Sequence, residues 1–359
     1  MYTLTADSGS TKTTWLLTHT NHPSVGESAS QPSSEEPASQ PSSEESAPNT
    51  SVGESAIQSQ TTLLTTQGIN PFHMPASTMR DIITGELITQ EAFPVPDAID
   101  EIHFFGAGCT QEKSPLLHDL LQSLFPAATE VEVGSDMLGA AKALFADKPG
   151  IACILGTGSN SCHYDGQRIV SNVSPMGYIL GDEGSGAVLG KTFLNALYKG
   201  AHQDLIPVFE AETGLTLPVI IDKVYRQPMP NRFLASLAPF IKSHITQPWI
   251  SEMVINSFRL FFQNNVKHYL TASVPVDVPV TYSPSKTRGG QGALTTVPVT
   301  YSPSKTRGGQ GALTTAPVPV EISFVGSIAF HFQDQLRIAA AAEGLTISKI
   351  LKEPLSPIR

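Results

Sequence analysis

The amino-acid sequence predicts an α/β protein with two β-rich lobes. Short apolar stretches typical of strands alternate along the chain with longer stretches in which apolar residues recur at helical spacing. Glycine-rich turns follow predicted strands at four places, residues 7–13, 156–160, 181–186 and 325–329, and each lobe carries one after its first strand. The chain has 359 residues, of which 40 % are hydrophobic, so a buried core can form in one or two domains.

The first lobe is predicted to begin with a hairpin. "MYTLTAD" and "TTWLLT" form strands on either side of the first glycine turn, and "TTLLTTQ" (61–67) is expected as a third strand. "IHFFGAG" (102–108) is typical of a buried strand that ends in glycines. "SPLLHDLLQSLF" has helical spacing, with Ser114 as its N-cap, and "TEVEVGSD" is a strand that leads into the helix "MLGAAKALFA".

The second lobe is predicted to begin at "GIACILGTGSNSCHYDGQRIVSN". This stretch indicates two strands joined by "GTGSN", with "DG" (165–166) as a tight turn. Residues from Gly186 to about Val266 are expected to be mostly helical. "EISFVGSIA" is predicted to be the last strand, running into a glycine turn and a helix.

Two segments have a composition unlike the rest of the chain. Residues from about 21 to 59 are rich in Ser, Pro and Glu, and "VPVTYSPSKTRGGQGALTT" (278–296) is repeated without change at 297–315. Both have little to bury, so we expect disordered insertions at about 21–59 and 273–319; the alternative is a partner-binding tail with "SPSK" as a modification site. The expected domains are a first lobe at 1–135, a second lobe at 136–342, and a segment at 343–359 that packs back on the first lobe.

Charge and composition narrow the class of protein. The net charge of −10 disfavours a nucleic-acid partner. No apolar run is long enough to span a bilayer and no leader segment precedes the first strand, so a cytoplasmic protein without a membrane partner is expected. The three cysteines (Cys109, Cys153 and Cys162) have no CxxC spacing, which argues against a disulfide framework, a zinc site or an iron–sulfur site.

The glycine turns indicate phosphate binding. Glycine lets backbone amides approach a ligand, and consecutive amides in a turn form an anion site. One such turn from each lobe would hold the phosphates of a nucleotide, while Asp7 holds Mg²⁺ through its water shell. An ordinary hairpin turn is the alternative for the first of them. The candidate phosphate ligands in that turn are Gly9, Ser10, Thr11, Lys12 and Thr13.

Two acidic positions are candidates for chemistry. Asp136 lies at a predicted strand-to-helix junction, where it is either an N-cap or a general base that takes a proton from a substrate hydroxyl. Asp182 and Glu183 lie in a glycine turn. One of these carboxylates can bind a sugar hydroxyl or magnesium, and the other can pair with a structural partner.

Eight motifs together resemble the BadF/BadG/BcrA/BcrD-type ATPase family, most closely its N-acetylglucosamine kinase-like branch. They are "ADSGSTKT", "TTQGINPF", "FFGAGCT", "SD..GAA", "ILGTGSNS", "VSPMGYILGDEGSGAVLGK", "YRQPMPNRFLASLAPFI" and "FVGSIA". The resemblance implies two ribonuclease-H-like lobes of the actin-like ATPase fold, with nucleotide and sugar in the cleft between them. Another branch of this family holds a cluster with paired cysteines, and this chain has no such arrangement.

The resemblance also implies roles for individual residues. Asp136 would be the catalytic base, and Gly326 and Ser327 would contact adenosine, although this turn has "GS" where the family has "GG". The residues implied to bind phosphate in the second lobe are Gly156, Thr157, Gly158 and Ser159. Those implied to bind the sugar are Asn70, Asp136, Thr157, Gly177 and Asp182.

The function implied is an ATP- and Mg²⁺-dependent kinase that phosphorylates N-acetylglucosamine or a related amino sugar at its 6-hydroxyl. Its partner is a small-molecule sugar, and the family's habit implies a homodimer. Two alternatives stay open: a non-catalytic regulator that senses ATP or a sugar, and a sugar-independent ATPase that acts on a protein. The sequence does not determine which sugar is used.

Overall fold

The computed structural model describes residues 1–9, 12–21, 58–200, 202–271 and 320–355. Within these ranges, ten strands form two five-stranded sheets. The strands of the first sheet are β1 (Tyr2–Ser8), β2 (Lys12–Asn21), β3 (Gln58–Gln67), β4 (Ile99–Gly106) and β5 (Glu130–Ser135). Those of the second sheet are β6 (Gly150–Leu155), β7 (Ser159–Tyr164), β8 (Ile169–Asn172), β9 (Ile322–Val325) and β10 (Ile347–Leu351).

Helices pack around both sheets. They are α1 (Ala76–Ile82), α2 (Ser114–Leu124), α3 (Asp136–Phe145), α4 (Gly177–Leu180), α5 (Gly186–Lys199), α6 (Ile206–Thr213), α7 (Leu217–Tyr225), α8 (Pro230–Ala235), α9 (Ala238–Ser243), α10 (Pro248–Phe261), α11 (Lys267–Thr271), α12 (Ser327–His331) and α13 (Gln333–Ala342). Short 3₁₀ turns lie at Pro96–Ala98 and Gln203–Leu205, and π-helical turns at Ile83–Leu87 and Phe262–Val266. None of the helices in the described ranges combines the length and the hydropathy needed to cross a membrane.

The first sheet has the strand order β3-β2-β1-β4-β5. The first three strands are antiparallel neighbours, whereas β4 and β5 run parallel to β1. Leu4 and Ala6 of β1 are fully buried and share a core with Trp15 of β2 and with helices α1 and α2. The predicted hairpin and third strand are therefore confirmed.

The second sheet repeats this arrangement with the order β10-β9-β6-β7-β8. β6, β7 and β8 are antiparallel neighbours, and β9 and β10 run parallel to β6. One face packs on a helical core in which the rings of Phe261 and Phe324 lie 6.0 Å apart. Two sequence expectations are wrong here. The turn at Asp165 and Gly166 leads into a third strand, and β9 is not the last strand, because β10 adds to its free edge.

Helix α3 packs against both sheets. It follows β5 directly and contacts β1, β4 and β5 of the first sheet as well as β6, β7 and β9 of the second. On the first-sheet side, Gly139 lies so close to Phe105 that a Cβ atom there would be 2.5 Å from the Phe105 Cβ. On the other side, Ala140 and Ala141 are fully buried against Ala152 of the second sheet. The small residues of "GAA" therefore let one helix fit between the two lobes.

Two predicted helix caps are shifted by one residue. The N-cap of α2 is Lys113 and not Ser114, which is the first helical residue and makes no side-chain cap. The N-cap of α3 is Ser135, whose hydroxyl accepts a hydrogen bond from the Leu138 amide, so Asp136 is the first helical residue. Ser is a favoured N-cap residue, so Ser135 caps α3 and the carboxylate of Asp136 is left for another role.

The predicted insertions lie, apart from their edges, outside the described residues. The predicted C-terminal segment begins at 343, and within it β10 belongs to the second sheet. The residues that follow this strand reach the first lobe, because Pro354 and Leu355 line a cavity together with Thr5 and Leu16. The domain boundaries themselves stay a prediction.

Candidate active site

Asp136 lies at the beginning of α3, where the first lobe ends. Its Oδ1 accepts a hydrogen bond from the Met137 amide at 2.8 Å. Burial raises the pKa of its carboxyl above the ordinary value of 3.8, although this hydrogen bond works in the opposite direction. A carboxylate with a raised pKa holds a proton more readily than an exposed aspartate, which suits a general base.

Asp7 lies near the end of β1, beside Phe105 of β4 in the parallel register. Burial raises the pKa of its carboxyl from 3.8 to about 6, and the negative charges of Asp136 and Glu353 add to this effect, while Lys12 opposes it. Asp7 and Asp136 are therefore electrostatic neighbours. Two carboxylates close together in a partly dry site favour a cation between or beside them.

The first glycine turn is closed by a hydrogen bond from the Gly9 amide to the Lys12 carbonyl at 3.0 Å. Ser10 and Thr11, two of the predicted phosphate ligands, lie outside the described residues. Thr13 is fully buried, and its hydroxyl lies 2.6 Å from the Ser8 hydroxyl and accepts a hydrogen bond from the Ile69 amide. The Thr13 side chain therefore joins the hairpin to the segment after β3 instead of facing a ligand.

Asn70 is buried beside the end of β4. Its Oδ1 accepts a hydrogen bond from the Phe72 amide at 3.0 Å. Gly108 has a φ of +83°, and a Cβ atom there would lie 2.0 Å from this oxygen, so only glycine fits. The next residue, Cys109, has its pKa raised to about 12 by burial and by the charge of Asp136. Asn70, the end of β4 and Asp136 thus meet at one edge of the first sheet.

In the second lobe, the predicted phosphate turn sits on the N-terminus of α5. The carbonyl of Gly156 accepts a hydrogen bond from the Gly186 amide at 2.8 Å, and the carbonyl of Thr157 accepts one from the Ala187 amide at 3.1 Å. A further bond from the Gly156 amide to the Gly158 carbonyl closes the turn itself. These bonds fix the turn between β6 and β7 against a helix of 14 residues.

Asp182 packs directly against this turn. Its Oδ1 accepts a long hydrogen bond of 3.4 Å from the Ser159 amide, and its Oδ2 lies 3.2 Å from the position of a Cβ atom on Gly158. Burial is the main cause that raises the pKa of Asp182 above 3.8. Gly177 belongs to the same loop, because its carbonyl accepts a hydrogen bond from the Gly181 amide. The structure therefore places Asp182 against the turn that carries Thr157, and Gly177 at the beginning of α4, the helix that precedes Asp182.

A cavity of about 750 Å³ opens beside the phosphate turn. Gly156, Thr157 and Ser327 line it, as expected of a nucleotide site. The backbone of Gly326, with a φ of +123°, lies so close to the Leu155 carbonyl that a Cβ atom would be 2.3 Å from its oxygen. The volume is in the range of cavities that bind cofactor-sized ligands.

Sequence reasoning missed most of the walls of this cavity. They come from α8, α9, α12 and the residues beside them: Arg232, Ala235, Ser236, Ala238, Pro239, Lys242, Ser243, Ile328, His331 and Phe332. The Lys242 ammonium lies 5.5 Å from the centroid of the buried Phe332 ring. The motif "YRQPMPNRFLASLAPFI" contains five of these ten residues, but the spacing of apolar and polar residues in a helix does not identify which of them contact a ligand.

A magnesium ion bound here would need waters or phosphate oxygens as ligands in addition to protein side chains. Within the described ranges, no group of three or more His, Cys, Asp and Glu side chains is arranged to hold a metal ion. Mg²⁺ commonly uses one or two carboxylates and completes its shell with waters and substrate phosphates. Asp7, whose charge is poorly compensated, fits such a role.

Two lobes with the same mixed-sheet topology, a helix packed between them and a glycine turn in each define the actin-like ATPase fold. The chain shares 34 % sequence identity with a protein named "Putative N-acetylglucosamine Kinase" from Porphyromonas gingivalis, whose crystal structure is known. The match covers 98 % of this chain and 95 % of that one, with a TM-score of 0.68. It belongs to the same family as that protein. A protein of the same name from Chromobacterium violaceum has a TM-score of 0.58 at 14 % identity, over 98 % and 95 % of the two chains, and so shares the fold. No protein-family model matches the chain, and no curated protein matches it.

Proposed function

We propose that this protein is an ATP-dependent sugar kinase that phosphorylates N-acetylglucosamine or a related amino sugar at its 6-hydroxyl. The observation that carries the proposal is the pair of carboxyl groups, Asp7 and Asp136, at the edge of the first sheet where Asn70 lies. The similarity over nearly the whole length to the Porphyromonas gingivalis protein supports a kinase of this substrate class. That the chain is a BadF/BadG/BcrA/BcrD-type ATPase is also part of the proposal, and it rests on the sequence motifs alone.

On the acceptor side, Asp136 would take the proton of the 6-hydroxyl as its oxygen attacks the γ-phosphorus. The P–O bond to ADP breaks as the new one forms, and the proton stays on Asp136 until solvent removes it. Its raised pKa supports this role, because a base acts best with a pKa nearer the working pH. Asn70, Thr157, Gly177 and Asp182 would hold the sugar.

On the donor side, the cavity lined by Gly156 and Ser327 would take the adenosine, and we propose that Gly326, which precedes Ser327 in the chain, contacts it as well. The phosphates would be held by those backbone amides of the two glycine turns that make no bond inside the turn, with Lys12 adding charge. The amides of Gly9 and Gly156 are not among them, because they close their own turns. Mg²⁺ held near Asp7 through water would neutralise phosphate charge. We include Ser10 and Thr11 in the first turn as part of the proposal.

The same proposal extends to the partner, the localisation and the oligomeric state of the protein. The partner is a small-molecule sugar, and the acidic net charge of −10 supports neither a nucleic acid nor an anionic membrane as a partner. We propose a cytoplasmic enzyme, because hexosamine phosphorylation uses cytoplasmic ATP, and a homodimer as its assembly.

The test is ADP release from the purified protein with Mg²⁺ and ATP, with and without N-acetylglucosamine, other amino sugars and glucose. We expect release that depends on N-acetylglucosamine and falls about a hundredfold or more in Asp136→Asn. Asp334→Asn is the matched control, because Asp334 also lies in the first turn of a helix but is exposed. If the protein binds ATP but releases no ADP with any sugar, the result would favour a regulator. If ADP release does not depend on the presence of a sugar, the result would favour an ATPase that acts on a protein.

A further inference from the structure

Phe72 has a large apolar side chain that is exposed to solvent beside Asn70, a candidate sugar ligand. Its side chain is 59 % exposed, whereas most phenylalanines in the described part of the chain are buried. It follows Asn70 by two residues, in a turn and not on a helix or strand. What distinguishes Phe72 from the other exposed apolar residues is its position two residues after Asn70, where its ring is available to a ligand.

The backbone of Phe72 is fixed from two sides. Its amide donates the hydrogen bond to the Asn70 Oδ1, and the His73 amide donates to the Asn70 carbonyl at 3.1 Å. A Cβ atom on Gly108 would lie 3.0 Å from the Phe72 Cβ, so the end of β4 closely supports it. The His73 ring packs edge-on against the Phe72 ring, with centroids 4.9 Å apart.

The same contacts determine what Asn70 can offer a ligand. Its Oδ1 faces Gly108 and accepts from the Phe72 amide, and the side-chain Nδ2 is a donor that can serve a ligand. A sugar hydroxyl can accept from that amide. Just beyond the carboxyl end of β4, Gly108 lies against the donor Asn70 and the exposed aromatic Phe72, and the next residue, Cys109, feels the charge of the proposed proton acceptor Asp136.

We propose that Phe72 is a specificity-determining residue that receives the apolar C–H face of the acceptor sugar ring. This inference rests on the proposed kinase function and assigns part of its acceptor site. A pyranose has hydroxyls around its rim and C–H groups on its faces, so an aromatic plane beside a rim donor matches it better than polar groups alone. Linear polyols, which have no ring face, gain nothing from Phe72.

The test compares Phe72→Ala, Phe72→Trp and the wild type in steady-state kinetics. For Phe72→Ala, we expect KM for N-acetylglucosamine to rise about tenfold, which matches the loss of one aromatic contact of about 1.4 kcal/mol. KM for ATP should stay within twofold, and Phe72→Trp should restore KM for the sugar. Tyr225→Ala is the matched control, since Tyr225 is an aromatic residue 77 % exposed on α7 and outside the site.

A second measurement does not depend on turnover. The indole introduced by Phe72→Trp should change its fluorescence emission when N-acetylglucosamine is added without nucleotide, and should not respond to sorbitol. An active wild type, together with unchanged sugar KM in Phe72→Ala and no emission change in Phe72→Trp, would overturn the inference and leave the kinase proposal standing. A wild type with no sugar-dependent ADP release would overturn both.

Discussion

The carboxyl groups of Asp7 and Asp136 come from opposite ends of the first lobe's sequence and meet as electrostatic neighbours. The charge of Asp136 is one of the causes that raise the pKa of Asp7 to about 6. Asp7 is carried by the central strand β1, and Asp136 by the helix that leaves the sheet after β5. The fold therefore places two acidic groups together where neither has a full counter-charge, with Lys12 the one basic group among the causes that act on Asp7.

The first prediction concerns stability without ligands. The folded-state pKa of Asp7 lies above the unfolded value of 3.8, so the native state binds the proton more tightly. Its contribution to the free energy of unfolding is therefore present below pH 4 and is lost as the pH rises to about 6. At pH 8, Asp7→Asn should be more stable than the wild type by about 1 to 2 kcal/mol, less than the full shift implies because Asp7 is partly exposed.

Urea unfolding at pH 4 and pH 8 measures this difference. At pH 4 the two proteins should be nearly equally stable, because Asp7 is then protonated. The matched control is Asp97→Asn, because Asp97 is an exposed aspartate in the 3₁₀ turn Pro96–Ala98. An equal stability change at both pH values would contradict the electrostatic explanation.

The second prediction concerns the pH dependence of activity. Burial raises the pKa of Asp136, and a base must be ionised to accept a proton. The acidic limb of kcat/KM for the sugar should therefore have a midpoint clearly above 3.8, the ordinary aspartate value. Steady-state rates between pH 4 and pH 9 test it. The residual activity of Asp136→Asn should lack this limb, and its persistence there would assign the titration to another group.

The third prediction concerns the nucleotide cavity. Lys242 lines it with its ammonium 5.5 Å from the Phe332 ring, so it can interact with both an aromatic base and an anionic ligand. Lys242→Ala should raise KM for ATP about tenfold and leave KM for the sugar unchanged. Lys199→Ala, an exposed lysine in the last turn of α5, is the control. Equal ATP affinity in both variants would remove Lys242 from the site.

The fourth prediction separates a close contact from backbone strain. Gly108 and Gly344 have similar φ angles, +83° and +75°, but a Cβ atom on Gly108 would meet Asn70 at 2.0 Å and one on Gly344 would meet nothing within 4 Å. Gly344→Ala should cost about 1 kcal/mol of stability, the price of the left-handed backbone alone. Gly108→Ala should cost more and should also raise KM for the sugar, because Asn70 must move.

Thermal unfolding and sugar kinetics of the two variants give the comparison. Similar losses of stability, with an unchanged sugar KM in Gly108→Ala, would mean that Asn70 does not depend on this contact.

The sequence predicted the fold best at positions where the local backbone conformation determines the structure. Glycine turns after strands located the ends of β1, β6 and β9, and the step from "EVEVGS" to "DMLGAA" placed Asp136 at the start of a helix. These patterns need particular backbone angles or a change of hydrophobic period, both of which are local properties.

What the sequence did not reveal depends on contacts between distant segments. Thr13 has the hydroxyl expected of a phosphate ligand and lies in a glycine turn. In the structure this hydroxyl is hydrogen-bonded to the Ser8 hydroxyl and to the Ile69 amide, which become its neighbours only when the chain folds. Lys242 and His331 lie on different helices and meet at one cavity only when the second lobe is assembled. The strand β10 has too few residues for a clear period, and its place follows from the free edge of β9.

The position of α3 has a mechanical consequence. This helix contacts strands of both sheets, and its first residue is Asp136. A rotation of one lobe against the other would therefore pivot along this helix, which begins at the proposed proton acceptor, and the widest movement would occur far from it. Asp136 directly follows β5 and Asp7 lies on β1 of the same sheet, so the distance between them would stay nearly constant while the cavity proposed for adenosine moves with the second lobe. The proposed kinase could then open to release product without separating its two carboxyl groups.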